Sequence, residues 1–248
     1  MTRLLLFLAL SLACTPHDDP APTAQAKAEG GCVNEWEQAA PGVEYRTLNC
    51  TPTRFDLHLA RVDPKVARID AVVRPGSTAT DLGREVTFAM NANFFDEQFR
   101  PLGVVVSDGR QVNPAHPVSW QSVFFVDRDR APHIVPVKEW KRVRESAVAA
   151  AQCGPRLVVD GRKNEVARAE PTWRSGVCID PGKRVIFFAT PAGTQLDVHQ
   201  TVELATLLGC RDAMLFDGGP STQMYLRGAS GAVEVQGDQR VPAYVVVR

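Results

Sequence analysis

Short apolar runs, each closed off by turn residues, follow one another from about residue 55 to the C-terminus, and only one stretch carries a long stripe at helical spacing. Phe55, Leu57 and Leu59 alternate with Asp56, His58 and Ala60, and Val66 to Val73 continues in β-branched residues, which predicts an opening pair of strands. Val86 to Met90, Leu102 to Ser107, Ser122 to Asp127, Arg156 to Asp160, Gly176 to Ile179, Val185 to Ala189 and Ala213 to Phe216 read as further strands. Pairs such as Asp108-Gly109 and Pro181-Gly182 mark the turns between them. Val241 to Val247, with Pro242 near its start, suits an edge or terminal strand.

Helices are few. Val202, Ala205 and Leu208 recur at helical spacing, Leu204 and Leu207 widen the stripe, and Gly209 terminates it, so a helix is expected over Val198 to Leu208. A short helix is expected near Thr80 to Glu85, and the alanines of Glu145 to Gln152 predict a moderate one. Many strands with few helices give an α+β domain built on a mixed or antiparallel sheet, in one piece from residue 32 to 248.

The N-terminus reads as an address. Arg3 precedes an apolar run from Leu4 to Leu12 that is too short to span a bilayer and has the order of a secretion signal. Leu10-Ser11-Leu12-Ala13-Cys14 resembles a lipoprotein signal, with residues 1–13 removed and Cys14 acylated, although Ser11 stands where an aliphatic residue is commoner. Residues 14–31, rich in Pro, Ala, Asp and Thr, then form a tether. Thr15 in place of Asp points to the outer membrane, so the expected location is periplasmic, with the membrane as partner through the lipid. Lys plus Arg equals Asp plus Glu at 28 each, and nothing in that balance calls for nucleic acid.

Five further cysteines lie in what would be an oxidising compartment. Cys32 is expected to pair with Cys50 and Cys153 with Cys178, on proximity along the chain, leaving Cys210 as a buried small residue. No CxxC, HExxH, GxSxG, Walker or GxGxxG pattern is present, and the five histidines are scattered. No metal site or cofactor is implied, and a divalent cation stays open.

The chemistry therefore falls to carboxylates, amides, guanidinium and backbone N–H groups. Leu215 to Tyr225 reads LFDGGPSTQMY, a strand running into Asp217, two glycines, Pro220, Ser221 and Thr222. Such a turn presents one acid and exposed backbone to a ligand, although Asp-Gly-Gly is also common turn chemistry. Asn91-Ala92-Asn93-Phe94-Phe95-Asp96 repeats the pattern after an earlier strand. Glu203 sits on the long helix at its apolar border, where a carboxylate needs a partner. Arg174 precedes a strand and is either a surface salt bridge or a bidentate clamp for phosphate or carboxylate.

These segments, in this order, resemble the phosphodiester glycosidase family. Asn91 to Phe95 matches an Asn-Gly-Gly-Phe-Phe segment, Leu102-Gly103 through Asp108 a Leu-Gly followed by Val-Val-Ser-Asp, and Gly154 to Val158 a Gly-Pro-x-Leu-Val stretch. Arg174, Glu203-Leu204-Ala205 and Asp217-Gly218-Gly219-Pro220-Ser221 continue the series, while Ala92, Asn93 and Pro220 replace family glycines. The resemblance implies hydrolysis of a sugar 1-phosphodiester at the anomeric carbon. Asp217 is then the carboxylate, with Glu203 or Asp96 as second acid. Arg174 with the N–H groups of Gly218 and Gly219 would hold the phosphate, Asn91 and Asn93 would bind sugar hydroxyls or phosphate, and Ser221 and Thr222 would complete the anion-binding turn. Two alternatives remain at this point: a lipoprotein that binds an envelope glycan or glycophosphate without cleaving it, and a metal-dependent phosphodiesterase.

Overall fold

A computed structural model describes residues 35–50, 55–229 and 231–248. The expectations on the signal, on Cys14, on the tether and on a Cys32–Cys50 bridge lie wholly or partly outside these residues. Every strand pairing among the described residues is antiparallel. Strands dominate so strongly that the expected α+β domain is better described as mostly β.

Three sheets share one core. The largest runs in the order Glu37–Ala40, Val43–Cys50, Phe55–Val62, Val185–Ala189, Ser175–Ile179, Asp212–Leu215, Arg156–Val159 and Arg162–Lys163. A second is ordered Arg110–Asn113, Val105–Ser107, Ala147–Cys153, Ser122–Asp127 and Pro132–Pro136, and a third Gly231–Val235, Met224–Gly228, Phe88–Asn91, Val241–Val247 and Ile69–Ser77. Their inner faces meet through Val177, Phe187 and Met214 of the first, Phe124 and Ala151 of the second, and Phe88, Met90 and Val245 of the third. Alternation decides the faces, since side chains two apart on a strand point the same way.

The outer face of the largest sheet is covered by the helix Val198–Leu207. Val198, Val202, Leu204 and Ala205 pack on Leu57, Leu59, Phe188 and Leu215. Asp197 and Gln200 form a reciprocal capping box at its start, and Gly209 with φ of 72° ends it, as its place in the sequence predicts. Beyond that glycine, Cys210 forms a disulfide to Cys178 with the Cα atoms 5.5 Å apart. The expected Cys153–Cys178 bridge is therefore wrong. Cys178 faces the helix layer, whereas Cys153 faces the central core and is a free thiol.

Two other expectations are corrected. Ala147–Cys153 is a buried strand between two neighbours, not a helix, because alanine fits the crowded space between sheets and ladder pairing overrides its helical propensity. Val241–Val247 is an interior strand, and Pro242 is accommodated at an irregularity between Val241 and Ala243.

Candidate functional site

Each of the three sheets sends the end of one strand to the same place. Asp217 follows Asp212–Leu215, Asn91 and Ala92 close Phe88–Asn91, and Cys153 ends Ala147–Cys153. The Asp217 main chain is held on both sides: its N–H donates to the Ala92 carbonyl at 2.9 Å, and its carbonyl accepts from Asn91 Nδ2 at 2.6 Å and Ser175 Oγ at 2.8 Å. Asn91 is completely buried, and its Oδ1 accepts the Gln223 N–H at 3.0 Å. A carboxylate mounted on backbone clamped this way is held in position before any ligand arrives.

Burial pushes the Asp217 carboxyl up to about 6, against donation from the Ser221 hydroxyl and the Gly218 N–H. Gln239 Nε2 donates to Ser221 Oγ at 2.6 Å, which turns the serine proton toward the acid. Complete burial, helped by the Asp217 charge, raises the Cys153 thiol well above its ordinary range, so it stays protonated.

Arg174 lies against the same turn at Gly218. Its side chain is buried, with Nε donating to Leu196 O at 2.9 Å and Nη2 to Glu170 O at 3.0 Å. Among the described residues no carboxylate forms a salt bridge with it. Burial lowers its pKa, and the nearby charge of Asp197 partly restores it. The remaining nitrogen, Nη1, lies 3.8 Å from where a Cβ on Gly218 would stand. A buried cation whose guanidinium is fixed by carbonyls and has no salt-bridged carboxylate among the described residues is preorganised for an anion.

The glycines serve closeness rather than anion binding. A Cβ on Gly218 would stand 2.8 Å from Trp173 O, Gly219 has φ of 58°, and the Gly219 N–H donates to that same Trp173 carbonyl at 2.8 Å. With the Gly218 N–H on Asp217, neither amide is left for phosphate. Pro220 fits because residues Gly219–Ser221 form one turn of 3-10 helix in which proline at the start needs no donor. Asn93 is not in the left-handed region, so the family glycine it replaces is not required there by backbone geometry.

The other anticipated residues are placed differently. Asn91 is a strut for Asp217, and Asn93 donates to Val104 O at 3.0 Å from a buried position, leaving its Oδ1 without a partner among the described residues. Thr222 is fully buried with an unpartnered Oγ1, inside the turn rather than on it. The Asp96 carboxylate accepts from the N–H groups of Gln98 and Arg100 and from Arg100 Nε at 2.7 Å, closing a small loop, and these donors hold its pKa below the usual range. Glu203 is exposed, paired with Lys163 Nζ at 2.6 Å, and faces a groove lined by Trp36, Leu204 and Leu207. Neither acid is brought beside Asp217.

Residues not anticipated for this site complete it: Ser175, Gln223, Gln239 and Cys153, which was expected only in a disulfide. Ser175 follows Arg174 directly and Cys153 precedes the Gly-Pro of a quoted segment, so both lay one position from a recognised signal. Among the described residues no three His, Cys, Asp or Glu side chains gather as a metal site, and no helix is long and apolar enough to cross a membrane.

A family model described as phosphodiester glycosidase matches residues 84–248. No curated protein matches the chain. Among solved structures, the catalytic domain of zebrafish N-acetylglucosamine-1-phosphodiester alpha-N-acetylglucosaminidase, auto-inhibited by its pro-peptide, superposes with a TM-score of 0.65 at 13% identity, covering 86% of this chain and 87% of that one. A hypothetical protein from Synechocystis gives 0.60 at 14% identity, with 85% of this chain matching 64% of that one, so this chain spans less than two thirds of its length. An exported protein from Burkholderia pseudomallei K96243 gives 0.53 at 12% identity over 78% of this chain and 74% of that one.

Proposed function

This chain belongs to the phosphodiester glycosidase family, and on that premise we propose that it hydrolyses a sugar 1-phosphodiester at the anomeric carbon, releasing free sugar and a phosphomonoester. The observation that carries the reading is a half-buried carboxyl of raised pKa at Asp217, followed directly by Gly218, with a buried guanidinium at Arg174 whose Nη1 lies 3.8 Å from where a Cβ on Gly218 would stand. Arg174 Nη1 takes the phosphate, which is the leaving group and carries the electron pair of the broken C–O bond well. Strong general-acid help is not needed, and this fits a site in which neither Glu203 nor Asp96 stands beside Asp217.

Asp217, ionised above pH 6, takes a proton from water as the water attacks the anomeric carbon. A double displacement needs a further group to activate the second water, and none of the acids anticipated for that role is at hand. A single displacement with inversion follows. Ser221 and the Gly218 N–H aim the carboxylate; Asn91 and Ser175 fix its backbone.

The test is incubation with an N-acetylglucosamine 1-phosphodiester, scoring reducing sugar and phosphomonoester, with chelator in a parallel sample. Equal release with and without chelator, lost in Asp217→Asn, supports the reading. Saturable binding without product marks a non-catalytic binder, and loss with chelator marks metal-dependent cleavage. We place the protein in the periplasm, anchored through acylated Cys14; a Cys14→Ser chain that still partitions with membranes overturns that placement.

A further inference from the structure

Beside the Asp217 turn lies a cleft of about 510 Å³ that the proposed chemistry does not use, walled by Trp120, Pro155, Arg156, Glu165, Arg168 and Val198. Three contacts tie its lining to the segments that hold the site. The Pro155 carbonyl accepts the N–H of Leu215, two residues before Asp217, at 3.0 Å. Trp120 packs edge-on against Phe94 with ring centroids 5.8 Å apart, and Phe94 follows the segment that holds Asp217 and donates its N–H to Cys153. Arg174 grips Glu170 O and Leu196 O, and the chain on either side, at Ala169 and Val198, lines the cleft. A substrate whose phosphate rests on Arg174 therefore has this cleft as its neighbour.

Its chemistry selects an occupant. Trp120 is 53% exposed, which leaves one face of a large aromatic free for stacking. Arg156 and Arg168 face it against the single acid Glu165, and among the described residues neither arginine is ion-paired. The volume is that of a small-molecule site able to take one ring with a substituent. We propose that this cleft is the aglycone subsite, and that it selects phosphodiesters whose aglycone is a planar or sugar ring bearing its own anionic group. The proposal rests on the functional reading above for its place in the reaction, and on the cleft alone for binding.

Three N-acetylglucosamine 1-phosphodiesters, with methyl, phenyl and 4-carboxyphenyl aglycones, separate the contributions. Relative to wild type, Trp120→Ala is expected to lower kcat/KM by about ten-fold for both ring-bearing diesters and by less than about two-fold for the methyl diester. Arg168→Ala is expected to lower it by about five-fold for the 4-carboxyphenyl diester only. Losses equal across the three diesters, or no loss in either variant, overturn the subsite. Binding of methyl, phenyl and 4-carboxyphenyl phosphate, followed by tryptophan fluorescence and calorimetry, gives the same ordering without turnover. If no diester is hydrolysed, the catalytic reading fails; the binding series then still decides the cleft, and equal affinities for the three phosphomonoesters overturn it.

Discussion

Asn91 Nδ2 donates to the main-chain carbonyl of Asp217 at 2.6 Å, across 126 positions of sequence. The bond ties the end of a strand in one sheet to the turn that leaves another, and through Oδ1 the same amide holds Gln223. Removing it in Asn91→Ala strands the buried Gln223 N–H and loosens the Asp217 carbonyl, which keeps only Ser175. The expected cost is about 2–4 kcal/mol in urea denaturation, with kcat falling more than KM changes. Ser175→Ala, which leaves the Asn91 bond in place, should cost about 1 kcal/mol.

Asp217 opposes stability with function. Its carboxyl titrates at about 6 in the folded protein against an ordinary 3.8, so between those values the folded state holds a proton that the unfolded state has released. Stability therefore falls as pH rises from about 4 to 6, and the penalty is complete above pH 6. Asp217→Asn is expected to be more stable than wild type by about 1–3 kcal/mol at pH 8 and equal to it below pH 4. Thermal denaturation at the two pH values reads this directly.

The same titration governs rate. The base must be ionised, so kcat/KM should fall about ten-fold per pH unit below pH 6 and level off above it. The product should carry the inverted anomeric configuration, read by proton NMR in the first minutes of reaction.

Arg174→Lys is not a conservative change here. A lysine cannot donate to Leu196 O, Glu170 O and a phosphate from fixed positions, as the guanidinium can. KM for the diester is expected to rise at least about ten-fold in Arg174→Lys and in Arg174→Ala alike. Rescue by lysine would indicate a plain charge effect.

The Cys178–Cys210 bridge closes a separation of 32 residues, and its loss in Cys178→Ala/Cys210→Ala should cost about 3–4 kcal/mol. Cys153, buried and held protonated, should resist iodoacetamide in the native protein and react once urea unfolds it. Non-reducing peptide mapping checks both.

Much of this fold was legible because local patterns and tertiary demands agreed. Ser122–Asp127 and Val185–Ala189 begin and end where their apolar runs do, and the Val198 helix follows its stripe. Ala147–Cys153 was not legible, since alanine carries a helical preference and only the squeeze between sheets makes it a strand. The Cys153–Cys178 pairing failed for a related reason: separation along the chain says nothing about which face of a sheet a thiol occupies. The closeness of Asp217 and Arg174 to one turn was open to a sequence reading because each flanks a strand within two residues of a glycine. The roles of Asn91, Asn93 and Thr222 were not, because a polar residue at a strand end looks the same whether its hydrogen bonds go to a ligand or to the backbone of another sheet.

The central claim is that water attacks carbon and not phosphorus. Hydrolysis of an N-acetylglucosamine 1-phosphodiester in ¹⁸O-labelled water, with the phosphomonoester analysed by mass spectrometry, tests it most directly. The account predicts an unlabelled phosphomonoester and label on the newly formed anomeric hydroxyl when the reaction is stopped early. Label on the phosphate would contradict it and make the enzyme a phosphodiesterase.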